Sequence, residues 1–209
     1  SAFDGCSGLT EVIWNARNVQ DFQDNSSRPF SGCDRLTDFV FGEEVEHIPD
    51  YLCYQLTSLN TIVIPNSVTS IGTNAFSFCS GLKTVTIPNS VTDIGDEAFY
   101  YCTGLTEVTI PNSVTSIGSG TFEDCSGLKT VTIPNSVKSI GDKAFYHCSS
   151  LEHVTSKAVT PPQIWAMTFD DYGMPFYVPA GCKPKYAEAE YWNNFTDIRE
   201  TGVTLHTVT

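Results

Sequence analysis

The chain has 209 residues, a formal net charge of −13 at pH 7 and an apolar fraction of 41%, which is ordinary for a globular protein. Only 11 Lys and Arg residues are present, which argues against nucleic acid because phosphate contacts need basic side chains. No apolar run approaches the roughly 18 residues of a membrane helix, so no membrane insertion of this segment is expected, and no signal peptide is visible. An acidic surface favours cationic or neutral partners.

The first predicted element is an irregular repeat. Its apolar positions are Phe3, Cys6, Leu9, Val12 and Trp14. The next unit starts at Phe30, four positions later than the spacing of the following units would place it. The four extra positions fall in the polar stretch near residues 21–30, and we interpret them as a loop that bulges from one turn of a repeat structure.

From Phe30 to Val154 the sequence follows a 23-residue period without slippage. The segment CSGLKTVTIPNSV even occurs twice, at Cys79–Val91 and at Cys125–Val137. One column of the lattice contains Leu36, Leu59, Leu82, Leu105, Leu128 and Leu151. No unit can bury its apolar face alone, so the units must stack as a β-rich solenoid.

Each unit has three predicted parts. LKTVTI alternates apolar and polar residues as a strand does, and the proline after it ends the pairing. VTSIG or VTDIG predicts a second short extended piece on the opposite wall, where the Gly turns the chain. AFYYC or AFSFC is too short for a full helix and predicts one helical turn, with its Phe in the core.

Eight cysteines suggest either a disulfide framework or metal sites, and the absence of a C-x-x-C pair leaves a zinc site with little support. Most lie on the repeat lattice, at Cys33, Cys79, Cys102, Cys125 and Cys148. Leu56 occupies the one position of this column that has no cysteine, as expected for a buried apolar position. Stacked turns would hold the Cβ vectors of neighbouring cysteines parallel, which disfavours disulfides between turns. Cys6 is predicted to join this ladder, Cys53 takes a position that is Phe elsewhere, and Cys182 lies outside the repeats.

The unit L-x-x-V-x-I-P-N-S-V-x-x-I-G-x-x-A-F-x-x-C-x-G resembles the leucine-rich repeats of the BspA-like family, which are surface proteins of anaerobes and of some parasitic protozoa. The resemblance implies a leucine-rich repeat right-handed superhelix with a parallel β-sheet face and a C-terminal capping segment. Family members are implicated in attachment to host matrix proteins and to other cells. The chain starts in the middle of a repeat, so we expect an upstream part that carries an export signal.

The resemblance extends to the C-terminal part, which looks like the terminal unit of many such proteins. We expect a solenoid over residues 1–155, a degenerate last repeat and cap over 156–200, and a loosely held tail over 201–209. Pro184 suits the first turn of a helix that runs to about Tyr191. The aromatic residues Tyr186, Trp192 and Phe195 would cover the open end. A separate small domain is the alternative.

Candidate binding residues come from the outward positions of the predicted strands and from the early loop. The strand positions are Lys83, Thr84, Thr86, Glu107, Thr109, Lys129, Thr130 and Thr132. We expect Lys83, Glu107 and Lys129 to be cross-strand neighbours. The loop residues are Asp21, Asp24 and Arg28, predicted to lie next to the strand face, although a tolerated surface insertion explains the loop equally simply.

No motif for catalysis or cofactor binding stands out. No carboxylate pair is predicted where one acts as an acid and the other as a base, and no phosphate loop is present. His147 beside Cys148 is a weak candidate for a thiol dyad, and Asp21–Asn25 is a weak candidate for a calcium loop. We therefore expect no metal and no cofactor.

These observations favour a non-enzymatic protein-binding or adhesion module that is extracellular or on the cell surface. Its expected partner is a host matrix or cell-surface protein, and a glycan is possible. Two other classes stay open: a glycan-binding or glycan-active protein, and a structural spacer within a longer surface protein.

Overall fold

The segment that follows each lattice leucine forms one strand of a long parallel sheet. The computed structural model describes residues 3–17 and 19–202, which form a solenoid of about eight turns whose 14 strands we number β1 to β14 in chain order. The long sheet contains β1 Glu11–Trp14, β2 Asp38–Phe41, β4 Thr61–Val63, β6 Thr84–Thr86, β8 Glu107–Thr109, β10 Thr130–Ile133, β12 His153–Ser156, β13 Phe176–Pro179 and β14 Ile198–Thr201. All of its pairings are parallel.

The repeat period sets the register of the strands: residues 23 positions apart lie opposite each other on neighbouring strands. Thr84 lies opposite Glu107, and Val85 lies opposite Val108, in each case one period further along the chain. The valines are buried and their neighbours are exposed, so each strand faces the core with one side only. The predicted solenoid is confirmed.

A second wall lies across the core from the long sheet. It contains β3 His47–Ile48, β5 Ser70–Ile71, β7 Asp93–Ile94, β9 Ser116–Ile117 and β11 Ser139–Ile140. These strands form two small parallel sheets, β3-β5-β7 and β9-β11. The isoleucine of each strand is buried, as the VTSIG pattern predicts.

The third side of each turn, which we call the turn wall, is a run of tight turns and not the predicted helical turn. Phe78, Tyr101, Asp124 and His147 have left-handed backbones, with φ between 57° and 61°. Such residues cannot continue a helix. The backbone N–H groups donate instead to the following turn, as Phe76 does to the Ala98 carbonyl at 2.8 Å.

The core is built from stacked copies of the same side chain. The rings of Phe76, Phe99, Phe122, Phe145 and Phe169 stack with centroids 5.3–5.5 Å apart. The ladder cysteines are buried as predicted, as is Leu56. Cys6, which was predicted to join this ladder, is exposed instead.

The C-terminal segment closes the far end of the core. Tyr186, Trp192 and Phe195 are buried, and the Trp192 ring stacks on Phe176 at 4.8 Å. The Trp192 Nε1–H donates to the Pro162 carbonyl at 2.7 Å. The predicted aromatic cover is therefore present.

Two predicted boundaries in this segment are wrong. Helix α1, Lys183–Glu188, ends before Tyr191, because Ala189 has an extended backbone with φ −77° and ψ 138°. A separate 3₁₀ helix, Trp192–Asn194, follows. Strand β14 pairs with β13 and extends to Thr201, which the sequence places in the tail. The rest of the predicted tail, residues 203–209, lies outside the described residues.

Candidate functional site on the outer face of the long sheet

The outward-facing side chains of the long sheet form one continuous surface, which we call the sheet face. It contains all eight strand residues of the predicted site. Lys83, Thr84, Thr86, Glu107, Thr109, Lys129 and Thr132 are exposed, and Thr130 is half-buried. Hydrogen-bonded neighbours along the sheet bring these side chains together, because parallel strands lie about 4.8 Å apart.

The charged side chains of the sheet face do not pair as predicted. Glu107 lies opposite Thr84 on one side and Thr130 on the other. Lys83 and Lys129 belong to the neighbouring column, in which each hydrogen-bonds through its backbone to Thr106. Across the described residues, the ion pairs within 4 Å include none between Glu107 and a lysine.

A shallow groove runs along the C-terminal ends of the central strands. Thr86, Thr109 and Thr132 form one side of it. The exposed amides of Asn66, Asn89 and Asn112, from the Pro-Asn turns after the strands, line the other side. The groove therefore presents rows of hydroxyl and amide groups, which both donate and accept hydrogen bonds.

The N-terminal end of the sheet face is apolar, which the sequence analysis did not anticipate. Ile13, Val40 and Val63 are 72%, 47% and 77% exposed. They are cross-strand partners and form one apolar stripe, which continues as threonine in later strands. Val40 and Val63 occupy outward positions of the repeat lattice. The sequence would therefore have predicted the stripe if the same lattice had been extended back over the irregular first repeat.

A carboxylate pair borders the apolar stripe, and the sequence analysis missed it as well. Glu11 and Asp38 are directly opposite each other on β1 and β2. Both are exposed, and Asp38 accepts a hydrogen bond from the Thr37 hydroxyl at 2.7 Å. The pair gives this end of the sheet face a local negative charge.

The early loop does not lie beside the sheet face, contrary to the prediction. The Asp21 carboxylate contacts His47 Nε2 at 2.7 Å and accepts from the Asp50 N–H at 3.0 Å, so it lies against the second wall. Burial raises the pKa of Asp21, but these hydrogen bonds outweigh burial and leave the pKa below its ordinary value. The loop replaces the second wall of the first turn, which explains its position.

Asp24 and Arg28 are also away from the sheet face. Asp24 closes a local turn by accepting from the backbone N–H groups of Ser26 and Ser27. Arg28 reaches the turn wall, where it donates to Gln55 Oε1 at 2.7 Å. The eleven predicted site residues therefore separate into eight on the sheet face and three elsewhere.

The two weaker candidates for a chemical site, the thiol dyad and the calcium loop, are not formed. Cys148 is buried and donates to the Phe122 carbonyl, whereas His147 points outward and contacts Asp124 at 3.3 Å. The Asp21 and Asp24 carboxylates do not converge on a calcium loop. Within residues 3–17 and 19–202, no group of three or more His, Cys, Asp or Glu side chains is placed to hold a metal ion.

The repeats match a known family over most of the chain. The BspA type leucine rich repeat region is found in six copies, over residues 1–106 and 46–170. The chain belongs to the BspA-type leucine-rich repeat family. It is therefore a repeat module of a kind that supports protein interaction. No curated protein sequence matches it.

Solved structures of bacterial leucine-rich repeat proteins share this fold. A leucine-rich repeat protein from Bacteroides ovatus ATCC 8483 is 26% identical with a TM-score of 0.63, and the match covers 95% of this chain and 53% of that one. The T. pallidum leucine rich repeat protein is 26% identical with a TM-score of 0.54, over 75% of this chain and 64% of that one. The pneumococcal vaccine antigen PcpA, 15% identical with a TM-score of 0.52 over 93% and 68% of the two chains, shows the fold alone. The chain thus spans between half and two thirds of the first two structures.

Proposed function

We propose that this BspA-type chain is a non-enzymatic protein-binding module of an exported or cell-surface protein, and that it mediates adhesion to a host matrix or cell-surface protein. The observation that carries the proposal is the apolar stripe of Ile13, Val40 and Val63, exposed beside the polar strand residues of one continuous sheet face. Exposed contiguous apolar side chains rimmed by polar ones are typical of protein interfaces.

The charges of the sheet face suggest how a partner is selected. Glu11 and Asp38 border the apolar stripe, and Lys83 and Lys129 lie further along the sheet. A partner with an apolar centre flanked by a basic and an acidic group matches this order. Charged groups at the rim of an interface contribute mainly to specificity and to the association rate.

One further line of support concerns location. The pneumococcal protein of the same fold is described as a vaccine antigen, which is in keeping with an exposed protein. No helix in the part of the chain that the structure describes is long and apolar enough to cross a membrane. The groove of threonine and asparagine side chains offers hydrogen-bonding groups to a glycan, so a glycan ligand is the second candidate.

A binding screen with matched variants tests the proposal. The purified chain is assayed against immobilised matrix proteins, against a glycan array and against a panel of glycosidase and protease substrates. The stripe variant is Val40→Ser with Val63→Ser, and the charge variant changes Lys83, Glu107 and Lys129 to Ser. The control changes two exposed residues of the second wall, Asp93 and Lys138, to Ser.

We expect binding to a protein target that falls at least about tenfold in the stripe variant, because each exposed valine loses roughly 1 kcal/mol of apolar contact. The control should bind as the unchanged chain does. Turnover of a substrate would overturn the non-enzymatic assignment. Equal binding by the unchanged, stripe and charge variants would show that the contact lies away from the sheet face.

A further inference from the structure

The turn wall exposes a set of five aromatic rings. Neighbouring turns place Tyr51, Tyr54, Phe78, Tyr100 and Tyr101 side by side, and we call these five residues the aromatic patch. The Phe78 ring is at its centre, with centroids 5.3 Å from Tyr54, 5.1 Å from Tyr100 and 5.2 Å from Tyr101. Tyr101 is 42% exposed, and the other four are partly exposed.

The backbone holds the patch in position. The Phe78 N–H donates to the Tyr100 carbonyl at 2.7 Å, and the Tyr101 N–H donates to the Glu123 carbonyl at 2.8 Å. Tyrosine and phenylalanine also have few rotatable bonds. A partner therefore meets large surfaces that are already ordered, so little conformational entropy is lost on binding.

Carboxylates surround the rings. Burial raises the pKa of Tyr100, and the charges of Asp124, Glu123 and Glu97 raise it further, while Lys143, which pairs with Glu123 at 3.4 Å, lowers it by less. Burial also raises the pKa of Tyr51, and the charge of Glu97 raises it further. The negative charge of these carboxylates, which disfavours a phenolate at this position, favours a cation there.

The chain itself places a guanidinium group on one ring of the patch. The guanidinium carbon of Arg28 lies 5.1 Å from the centroid of the Tyr54 ring, while its Nη1 donates to Gln55. A guanidinium over an aromatic face with a side-chain oxygen beside it is a stable arrangement. Over the residues that the structure describes, no cation covers the rings of Phe78, Tyr100 or Tyr101 in this way.

We propose that the aromatic patch binds an arginine-containing segment of a partner protein, with guanidinium groups over the rings of Phe78, Tyr100 and Tyr101 and paired with Glu97 or Asp124. The patch continues the arrangement that Arg28 starts on Tyr54. It lies on the turn wall, so it is a second interaction surface, independent of the sheet face. The early loop contributes to it through Arg28, which gives that loop a role in binding.

The first experiment uses a short peptide of alternating arginine and serine as the probe. A peptide with citrulline in place of arginine has the same shape without the charge, and a lysine peptide has the charge without the planar group. We expect calorimetry to show binding of the arginine peptide, weaker binding of the lysine peptide and none of the citrulline peptide. Changing Tyr100 and Tyr101 to Leu should weaken binding about tenfold, since two cation–π contacts are lost.

A second pair of variants separates the patch from the overall acidity of the chain. Glu97→Gln with Asp124→Asn removes two charges at the patch, and Asp93→Asn with Glu188→Gln removes two exposed charges elsewhere. We expect a loss of several-fold for the first pair and little change for the second. This pair preserves the rings, so it tests the proposal even where the leucine variant does not fold.

Three outcomes would overturn the inference. Equal losses for the two charge pairs would mean that an acidic protein attracts the peptide without a site. Equal binding of the citrulline peptide would exclude a cation site. Binding of a neutral oligosaccharide that depends on Tyr100 and Tyr101, without peptide binding, would assign the patch to a glycan. The Val40→Ser and Val63→Ser variant leaves the patch intact, so failure of the sheet-face proposal is distinguishable from failure of this one.

Discussion

A buried cysteine of this solenoid uses its thiol to satisfy a backbone carbonyl. Cys102 donates to the Phe76 carbonyl of the preceding turn, and Cys125 donates to that of Phe99, each at 3.2 Å. All eight cysteines are among the described residues and carry free thiols. The repeated cysteine therefore has a structural role, in which a small side chain fills the core and donates a weak hydrogen bond.

The buried thiols make stability depend on alkaline pH. Burial raises the pKa of Cys79 and of Cys125 to about 12, from 9.0 in the unfolded chain. A raised pKa stabilises the fold below pH 9, and this contribution is lost as the pH rises towards 12. We expect the free energy of unfolding in urea to fall by roughly 1.4 kcal/mol per pH unit for each thiol above pH 9.

The control for this prediction is the variant with Cys79→Ala and Cys125→Ala. Its stability is lower at pH 7, because two core side chains are smaller, but its slope above pH 9 should be shallower. Identical slopes for the two proteins would show that these thiols do not titrate in the way their burial implies.

Glycine is required where two turns of the chain approach each other. A Cβ at Gly104 would lie against the carbonyl oxygen of Ser80 in the preceding turn and 3.0 Å from that of Leu82. Gly104→Ala should therefore cost about 1–3 kcal/mol of stability, because backbone atoms must move. Gly8→Ala is the control, since nothing lies within 4 Å of its added Cβ. Urea midpoints that fall equally in both variants would contradict the prediction.

At the scale of elements, strands were predictable and turns were not. The alternation of Val85 with its threonine neighbours identifies a strand from sequence alone. The prediction of a helical turn was wrong because Phe78 and Tyr101 adopt a left-handed backbone, which their residue types do not indicate. Hydrogen bonds between neighbouring turns stabilise that conformation, and a local interpretation of the sequence does not include them.

The C-terminal cap depends on one tryptophan. Trp192 is fully buried against Phe176 and hydrogen-bonded to Pro162. We expect Trp192→Ala to cost about 3–5 kcal/mol and to expose the end of the core, with aggregation on heating. The neighbouring Asn193 is exposed on the same 3₁₀ helix, so Asn193→Ala should change the free energy of unfolding little. Urea unfolding compares the two, and equal midpoints would show that the segment does not stabilise the solenoid.

At the scale of the whole molecule, the sequence predicts which residues face outward but not which of them meet. The eight strand residues share the sheet face because one period separates neighbouring strands. Asp21 and Arg28 lie elsewhere, because the insertion replaces a different wall. The aromatic patch was missed because its contacts cross between two adjacent lattice columns: Tyr54 and Tyr100 occupy one column, and Phe78 and Tyr101 occupy the next.

The repeat period itself can be tested by deletion. Removing residues 102–124 takes out one whole turn, equal to the 23-residue period, and joins Tyr101 to Cys125. β6 would then pair with β10, since Thr84 and Thr130 both lie opposite Glu107. In a solenoid each turn contacts only its neighbours, so we expect this variant to fold and to unfold cooperatively at a somewhat lower temperature.

Removing residues 102–125 deletes one residue more and is the matched control. The strand that follows must then either slip by one residue, which turns its valines outward, or distort the turn wall to recover the register. We expect a clearly lower melting temperature than in the whole-turn deletion, measured by circular dichroism. Equal melting temperatures would show that the turns absorb a missing residue, and that the repeat period does not set the register of the sheet.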